Sequence, residues 1–259
     1  MLHYKTIKGP SNDSPWIVMI HGAGGSCEVW YRQVAEFRRY YNLLLVDLMG
    51  HGGSMKQELT KGYNFEVAAR QVIEVADHIG ISKAHYMGLS LGSIIVRFIA
   101  EGFPGRVDSM VLAGAVTQLN WETRSLLWLA DLGKYIVPYR ILKWLIAKAI
   151  IPQSRYGRSM KIFLENAKKV SFDNFLKWLL LGNRLNDRMS LLFGREIPIP
   201  TLYVMGADDY LFLEQAQWAM RHSGGYAQIA IVPNAGHVCN IDNRNYFNSI
   251  SLEWLQRLG

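Results

Sequence analysis

Short, unbroken apolar runs alternate with helix-spaced stretches along most of the chain. Trp16–Ile20 (WIVMI) and residues 43–46 (LLLV) each end at a polar or glycine-rich turn. Runs that are apolar at consecutive positions suit strands covered on both faces, as in a parallel sheet. Between these two, residues 28–39 predict a helix, and Phe65–Ile79 sets Val67, Ala68, Val72, Val75, Ala76 and Ile79 at helical spacing. The alternation goes on with a strand at 84–87, a helix at 91–100 and a strand at 109–113. It resumes late, with a strand at 201–205, a helix at 215–221, a strand at 228–232 and a last helix at 246–258. Alternation of this kind predicts an α/β fold, a mostly parallel sheet with helices on both faces. Between 117 and 195 the pattern changes to Leu, Trp, Lys and Arg at helical spacing, broken by Pro138 and Pro152, with no convincing strand. Residues 1–116 and 196–259 are therefore expected to form one core, with 117–195 a helical insertion before the last strands.

Composition narrows this further. Half of the 259 residues are hydrophobic and 19% are charged, which excludes disorder and fits a compact body. There is no run of eighteen apolar residues and no basic-then-apolar start. Neither a membrane span nor a secretory signal is expected. Two cysteines, Cys27 and Cys239, are too few for a disulfide framework or a cysteine zinc site, so a reducing cytoplasm is expected. The net charge of +7 is uneven: residues 117–195 hold 14 Lys and Arg against 5 Asp and Glu, and the remainder holds 14 against 16. The positive charge belongs to the insertion. Its basic residues interleave with Leu and Trp and no nucleic-acid motif is present, so nucleic acid is not an expected partner.

The strongest chemical signal is Gly88-Leu89-Ser90-Leu91-Gly92, a G-x-S-x-G between a predicted strand and a predicted helix. A nucleophilic serine projects from a turn so tight that its neighbours can hardly carry side chains, and glycines two before and two after meet that demand. The following helix N-terminus favours negative charge beside the serine oxygen. A second glycine-rich turn, His21-Gly22-Ala23-Gly24-Gly25-Ser26, follows the 16–20 strand. Acyl transfer generates an oxyanion that needs two preorganised N–H donors. Leu91, after the serine, and Ala23, in this loop, are the expected donors. A phosphate cradle is the competing reading, but there is no G-x-G-x-x-G or Walker lysine.

A serine needs a base and the base an orienting acid. Of seven histidines, His237 lies in Asn234-Ala235-Gly236-His237, past the last predicted strand, within reach of the sheet's carboxyl edge. His21 and His51 sit beside glycines and read as turn residues. His3, His78, His85 and His222 read as packing or surface groups. The acid follows the 201–205 strand, where Gly206-Ala207-Asp208-Asp209 offers two adjacent carboxylates, only one of which can face His237. Cys239, two residues past His237, and Cys27 read as buried structural thiols.

In this order, HGAGGS, Asp47-Leu48-Met49-Gly50-His51-Gly52-Gly53-Ser54, GLSLG, G-x-x-Asp and Gly-His resemble the α/β-hydrolases over nearly the full chain. The resemblance implies an α/β-hydrolase fold with a helical cap, no metal and no organic cofactor. Because that family's acid is usually the third residue after the glycine, it selects Asp209 over Asp208. Met49 stands where Arg or Pro is commoner, a departure in a supporting loop. Ser90, Asp209 and His237 would then form the catalytic triad, with Ala23 and Leu91 the oxyanion hole, in an enzyme cleaving carboxylic esters of small to medium acyl groups.

By the same resemblance 117–195 caps the site, and Trp128, Trp144 and Val238 are expected in the substrate pocket. The basic residues of the cap, Arg140, Lys143, Lys148, Arg155, Arg158, Lys161, Lys168, Lys169 and Lys177, are either a solvated face or a surface for an acidic acyl-carrier protein, an anionic membrane or a carboxylate-bearing substrate. The scaffold is shared with carbon–carbon hydrolases of meta-cleavage products, with a pyruvate-eliminating synthase of menaquinone synthesis, and with ligand receptors that turn over slowly. The synthases carry an arginine soon after the elbow, where Leu91-Gly92-Ser93-Ile94-Ile95 offers none.

Overall fold

The computed structural model describes residues 1–151 and 157–258. Its centre is a seven-stranded sheet in the order β1-β3-β2-β4-β5-β6-β7. The strands are β1 (Tyr4–Ile7), β2 (Trp16–Ile20), β3 (Asn42–Val46), β4 (Ala84–Leu89), β5 (Val107–Ala113), β6 (Thr201–Gly206) and β7 (Ala227–Val232). All neighbours pair parallel except β1, which runs antiparallel to β3 at the edge.

The period of two along each strand sorts the core into two layers. Val18, Ile20, Leu44, Val46, Tyr86, Met110, Leu112, Tyr203 and Met205 face one layer. There they meet α2 (Phe65–Ile79), α3 (Leu91–Gly102) and α9 (Leu213–Arg221). Ile17, Met19, Leu43, Leu45, Met87, Leu89, Val111, Ala113, Leu202 and Val204 face the other. That layer is closed by α1 (Tyr31–Phe37), α10 (Cys239–Asp242) and α11 (Arg244–Gln256). Strands covered on both faces must be apolar at every position, which is why their runs are unbroken.

Between β5 and β6 the described residues form α4 (Trp121–Gly133), α5 (Tyr139–Ile150), α6 (Gly157–Ala167), α7 (Phe172–Arg184) and α8 (Asn186–Phe193). They share a small core of Ala130, Leu142, Ile146, Val170, Phe175 and Leu176. Pro152 and Arg155 lie outside the described residues.

Two local readings change. The helix expected over 28–39 is a 3₁₀ turn at Cys27–Trp30 followed by α1. Ser26 caps that turn by accepting from the Glu28 amide at 3.3 Å, and Trp30, at φ −94° and ψ 0°, departs from helical geometry before α1 begins. Strand β1 was not expected: its four residues, YKTI, place two adjacent polar residues between Tyr4 and Ile7, and only one side of its backbone is paired.

Candidate active site

Ser90 sits between the end of β4 and the start of α3 at φ 53° and ψ −116°, a left-handed backbone that side-chain-bearing residues avoid. Close backbone approach on both sides enforces it. A Cβ at Gly88 would lie 2.4 Å from the Gly92 carbonyl oxygen, and one at Gly92 would lie 2.2 Å from that of Ile20. The turn is held by the Ser90 amide donating to Ala113 O at 2.9 Å and by Ser93 Oγ donating to Ser90 O at 2.6 Å. Strain of this kind persists only where the surroundings over-determine it.

His237 lies on the loop between β7 and α10, and Asp209 on the loop between β6 and α9; both are buried. His237 Nε2 stands 2.8 Å from Ser90 Oγ, and His237 Nδ1 stands 2.9 Å from Asp209 Oδ2. An ionised carboxylate only accepts, so Nδ1 is the donor and the lone pair of Nε2 is left to accept the serine hydroxyl. The three groups expected to act together are brought together in that order. Phe212, at the start of α9, places its ring 4.9 Å from the imidazole. The Asp208 amide donates to Ala235 O at 2.9 Å, and the imidazole's partner is Asp209.

The His237 loop is braced from α10, where the Gly236 amide donates to Asp242 Oδ2 at 3.0 Å and Ser159 Oγ, on α6, donates to Asp242 Oδ1. Burial raises the Asp242 carboxyl above the usual carboxylate range, and those two donors partly offset it. This brace was invisible in sequence, because Asp242 belongs to no recognisable motif.

The glycine-rich loop is fixed from Asp47–Ser54. His21 Nε2 accepts from the Leu48 amide at 3.0 Å while its Nδ1 donates to Gly22 O at 2.8 Å. His51 Nε2 accepts from the Gly24 amide at 3.0 Å. Asp47 accepts from the amides of Cys27 at 2.6 Å and Gly53 at 2.8 Å and pairs with His3 Nδ1 at 2.7 Å. His3, read from the sequence as a packing or surface group, is exposed and also joins this turn network through Asp47.

Burial holds the His21 imidazole below its ordinary 6.5, against an upward pull from Asp47. Burial lowers His85 in the same direction. Unfolded, both would titrate near 6.5, so just below that pH the unfolded chain binds more protons than the folded one. Stability should then rise with pH in that window and be lost as pH falls below about 6.5. Thermal melts between about pH 8 and pH 5 test this, and a melting temperature that stays flat or climbs on acidification contradicts it.

Ser90 and His237 open onto a cavity of about 120 Å³ between the sheet's carboxyl edge and the helices α4–α8. Its wall is mostly carbon, including Leu119, Leu127, Ile146, Phe163, Trp178 and Met189. Among the described residues no Lys, Arg, Asp or Glu lines it. Ala23, Leu91 and Val238 are in the wall.

Trp128 and Trp144 are not. They are 59% and 48% exposed, on the outer faces of α4 and α5, because the inward positions are Thr123, Leu127 and Ala130 in one helix and Leu142 and Ile146 in the other. The tryptophan in the wall is Trp178, whose indole N–H donates to Met49 O at 3.0 Å. Phe175, Trp178, Leu179 and Gly182 all line the cavity, at the three- and four-residue spacing of one face of α7, a signal present in the sequence.

The nearest arginine after the elbow, Arg97, is buried and turned away from the cavity. It donates to Leu192 O at the end of α8 and pairs with Glu101, and burial lowers its guanidinium to about 10.

Comparison with known proteins agrees with this architecture. A sequence profile described as the alpha/beta hydrolase fold matches residues 15–138. A crystal structure of a hydrolase from Pseudomonas aeruginosa superposes with a TM-score of 0.82 at 20% identity, covering 97% of this chain and 93% of that one. The chain has the α/β-hydrolase fold. The chain is 24% identical to a Pantoea ananatis protein named as a carbamate hydrolase, RutD, over 99% of this chain and 94% of that protein. It is also 22% identical to an Acinetobacter baylyi (E)-2-((N-methylformamido)methylene)succinate hydrolase, over 93% of this chain and 90% of that protein.

Proposed function

We propose that this α/β-hydrolase is a serine hydrolase that cleaves uncharged carboxylic esters of small to medium acyl groups, with residues 117–195 as its cap. The observation that carries this is the Ser90–His237–Asp209 relay aimed into a carbon-lined cavity. Ser90 Oγ attacks the ester carbonyl while His237 Nε2 takes its proton. His237 then gives that proton to the departing alcohol, leaving an acyl-enzyme. His237 next activates a water that releases the acid and restores Ser90.

The tetrahedral oxyanion is received by the amides of Leu91, at the first turn of α3, and Ala23. In the facing loop the Gly24 amide is held by His51 and the Gly25 amide by Gly22 O at 3.0 Å, and Ala23 lines the cavity beside Ser90, which supports Ala23 as the second donor. Removing one such donor typically costs about 10²–10³ in kcat. No metal or organic cofactor enters these steps. Cys27 and Cys239 are buried free thiols, which suits a reducing cytoplasm.

The lining favours this reading over those that need a substrate carboxylate. A succinate of the kind the Acinetobacter relative is named for would desolvate two charges against this wall, and Arg97 is engaged elsewhere. Steady-state hydrolysis of p-nitrophenyl esters from acetyl to dodecanoyl tests the proposal. Many turnovers with an optimum at one chain length are expected. Stoichiometric acylation alone, or no reaction at any length, would sink it.

A further inference from the structure

The helices that roof the cavity carry a second apolar face, turned outward. On α4, Thr123, Leu127 and Ala130 are buried, and the opposite face reads Trp121, Ser125, Trp128, Leu132. The three large side chains of that face are exposed, where a helix on a globular body is ordinarily polar. In α5, Leu142, Ile146 and Ala147 are buried, while Ile141, Trp144 and Leu145 are exposed beside Lys148. The turn joining the two helices leaves Tyr135 80% and Ile136 86% exposed. Of the 21 exposed large hydrophobic side chains among the described residues, ten fall within 121–145. A concentration of this kind marks an interaction surface.

The band is set among cations. Residues 121–148 contain five Lys and Arg against two acidic residues, Glu122 and Asp131. Arg124, Lys134 and Lys148 are exposed; Lys134 pairs with Asp131 at 2.6 Å and lies 4.9 Å from the centre of the Tyr135 ring.

We propose that the α4–α5 hairpin docks on an anionic phospholipid surface, lying in the headgroup plane with Trp121, Trp128, Ile136 and Trp144 immersed. Trp and Tyr favour that boundary, and Lys and Arg beside them are drawn to anionic headgroups. The mode is interfacial: among the described residues no helix is long and apolar enough to cross a membrane. An acidic carrier protein would engage the cations but leave the apolar band in water. A second copy docked through the same patch would set this cationic surface against itself.

The site gives the placement a use. Thr123, Leu126 and Leu127 of α4 and Ile146 and Ile150 of α5 line the cavity, so docking leaves one helix thickness between lipid and Ser90. An apolar ester then reaches the cavity from the lipid phase. That last step rests on the ester-hydrolase reading; the docking does not.

The test is co-sedimentation of the full chain carrying Ser90→Ala with vesicles of phosphatidylcholine plus phosphatidylglycerol, and with phosphatidylcholine alone. Binding to the anionic vesicles is expected, with blue-shifted tryptophan emission and weakening as salt rises. Trp128→Ser combined with Ile136→Asp should weaken it by about tenfold or more, through lost apolar burial. Lys148→Glu alone should weaken it by roughly fivefold. In the background that retains Ser90, the variants should keep wild-type turnover of a short soluble ester, which also shows that they fold.

Absence of vesicle binding overturns the proposal, as does equal binding to neutral vesicles or equal binding by the variants. A concentration-dependent dimer broken by the same substitutions, or capture by an acidic acyl-carrier protein without vesicle binding, reassigns the face and overturns it too. Vesicle binding by a protein that hydrolyses no ester would leave the docking standing and remove the ester reading.

Discussion

Ser90→Ala is expected to remove ester turnover, lowering kcat on the order of 10⁵–10⁶-fold, while melting within a few degrees of the parent. The rate prediction follows from the site having one hydroxyl on the imidazole, 2.8 Å from Nε2, at a backbone angle that aims it into the cavity. No other group can stand in. Cys239 is the nearest thiol in sequence to His237, but it is buried with Sγ on Val204 O, and burial pushes it far above the ordinary range. Cys27 is likewise buried and pushed up, and its surroundings are the Asp47 turn. The stability prediction follows because the deleted atom makes one hydrogen bond at a cavity wall, worth about 1 kcal/mol net, and leaves no core void. Steady-state kinetics beside a thermal melt decide the matter. Residual turnover above about 1% of wild type would mean that Ser90 is not the nucleophile.

How much of this was legible in the sequence depends on how local each cause is. The elbow was legible because both glycines fall within five residues of sequence, although only Gly88 is excluded locally, by Gly92, while Gly92 is pressed by Ile20 of the neighbouring strand. The parallel strands were legible because burial on both faces leaves nothing polar to interrupt WIVMI or LLLV. Strand β1 was not, since an edge strand of four residues is specified by its partner β3 more than by its own composition.

The roof of the cavity was the hardest to read. Trp128 and Trp144 drew attention as large apolar groups in an apolar helix, yet which face of a helix turns inward is settled by its neighbours. The spacing of Phe175, Trp178, Leu179 and Gly182 carried that information, and the spacing of Trp121, Trp128 and Leu132 carried the opposite message. Residue type alone misassigned both. Asp242 was out of reach for a different reason: it ties nearby Gly236 to Ser159, which lies 83 residues away from it in the chain.

Asp209→Asn should lower kcat by about 10⁴, and Asp208→Asn by less than about tenfold. The argument is one of proton placement. In the parent, Asp209 accepts from His237 Nδ1 at 2.9 Å, which keeps the Nε2 lone pair facing Ser90. An amide at 209 can present its NH₂ to Nδ1, stabilising the tautomer that carries its proton on Nε2. That imidazole donates toward Ser90 and can take no proton from it, so the geometry survives while the base is lost. It also withdraws the negative charge that steadies the imidazolium formed in the transition state.

The carboxylate on His237 Nδ1 is that of Asp209, so an amide at 208 leaves both that hydrogen bond and that charge in place. Asp242→Asn separates the remaining possibility, that any carboxylate near this loop matters. An amide there can still accept from Gly236, so its loss should be far smaller than that of Asp209→Asn. The defect of Asp209→Asn should appear equally in kcat and kcat/KM, because the interaction removed is made in the transition state. A reversed ranking of 208 and 209 would assign the orienting role to the other carboxylate, and a loss confined to KM would make Asp209 a group that shapes binding.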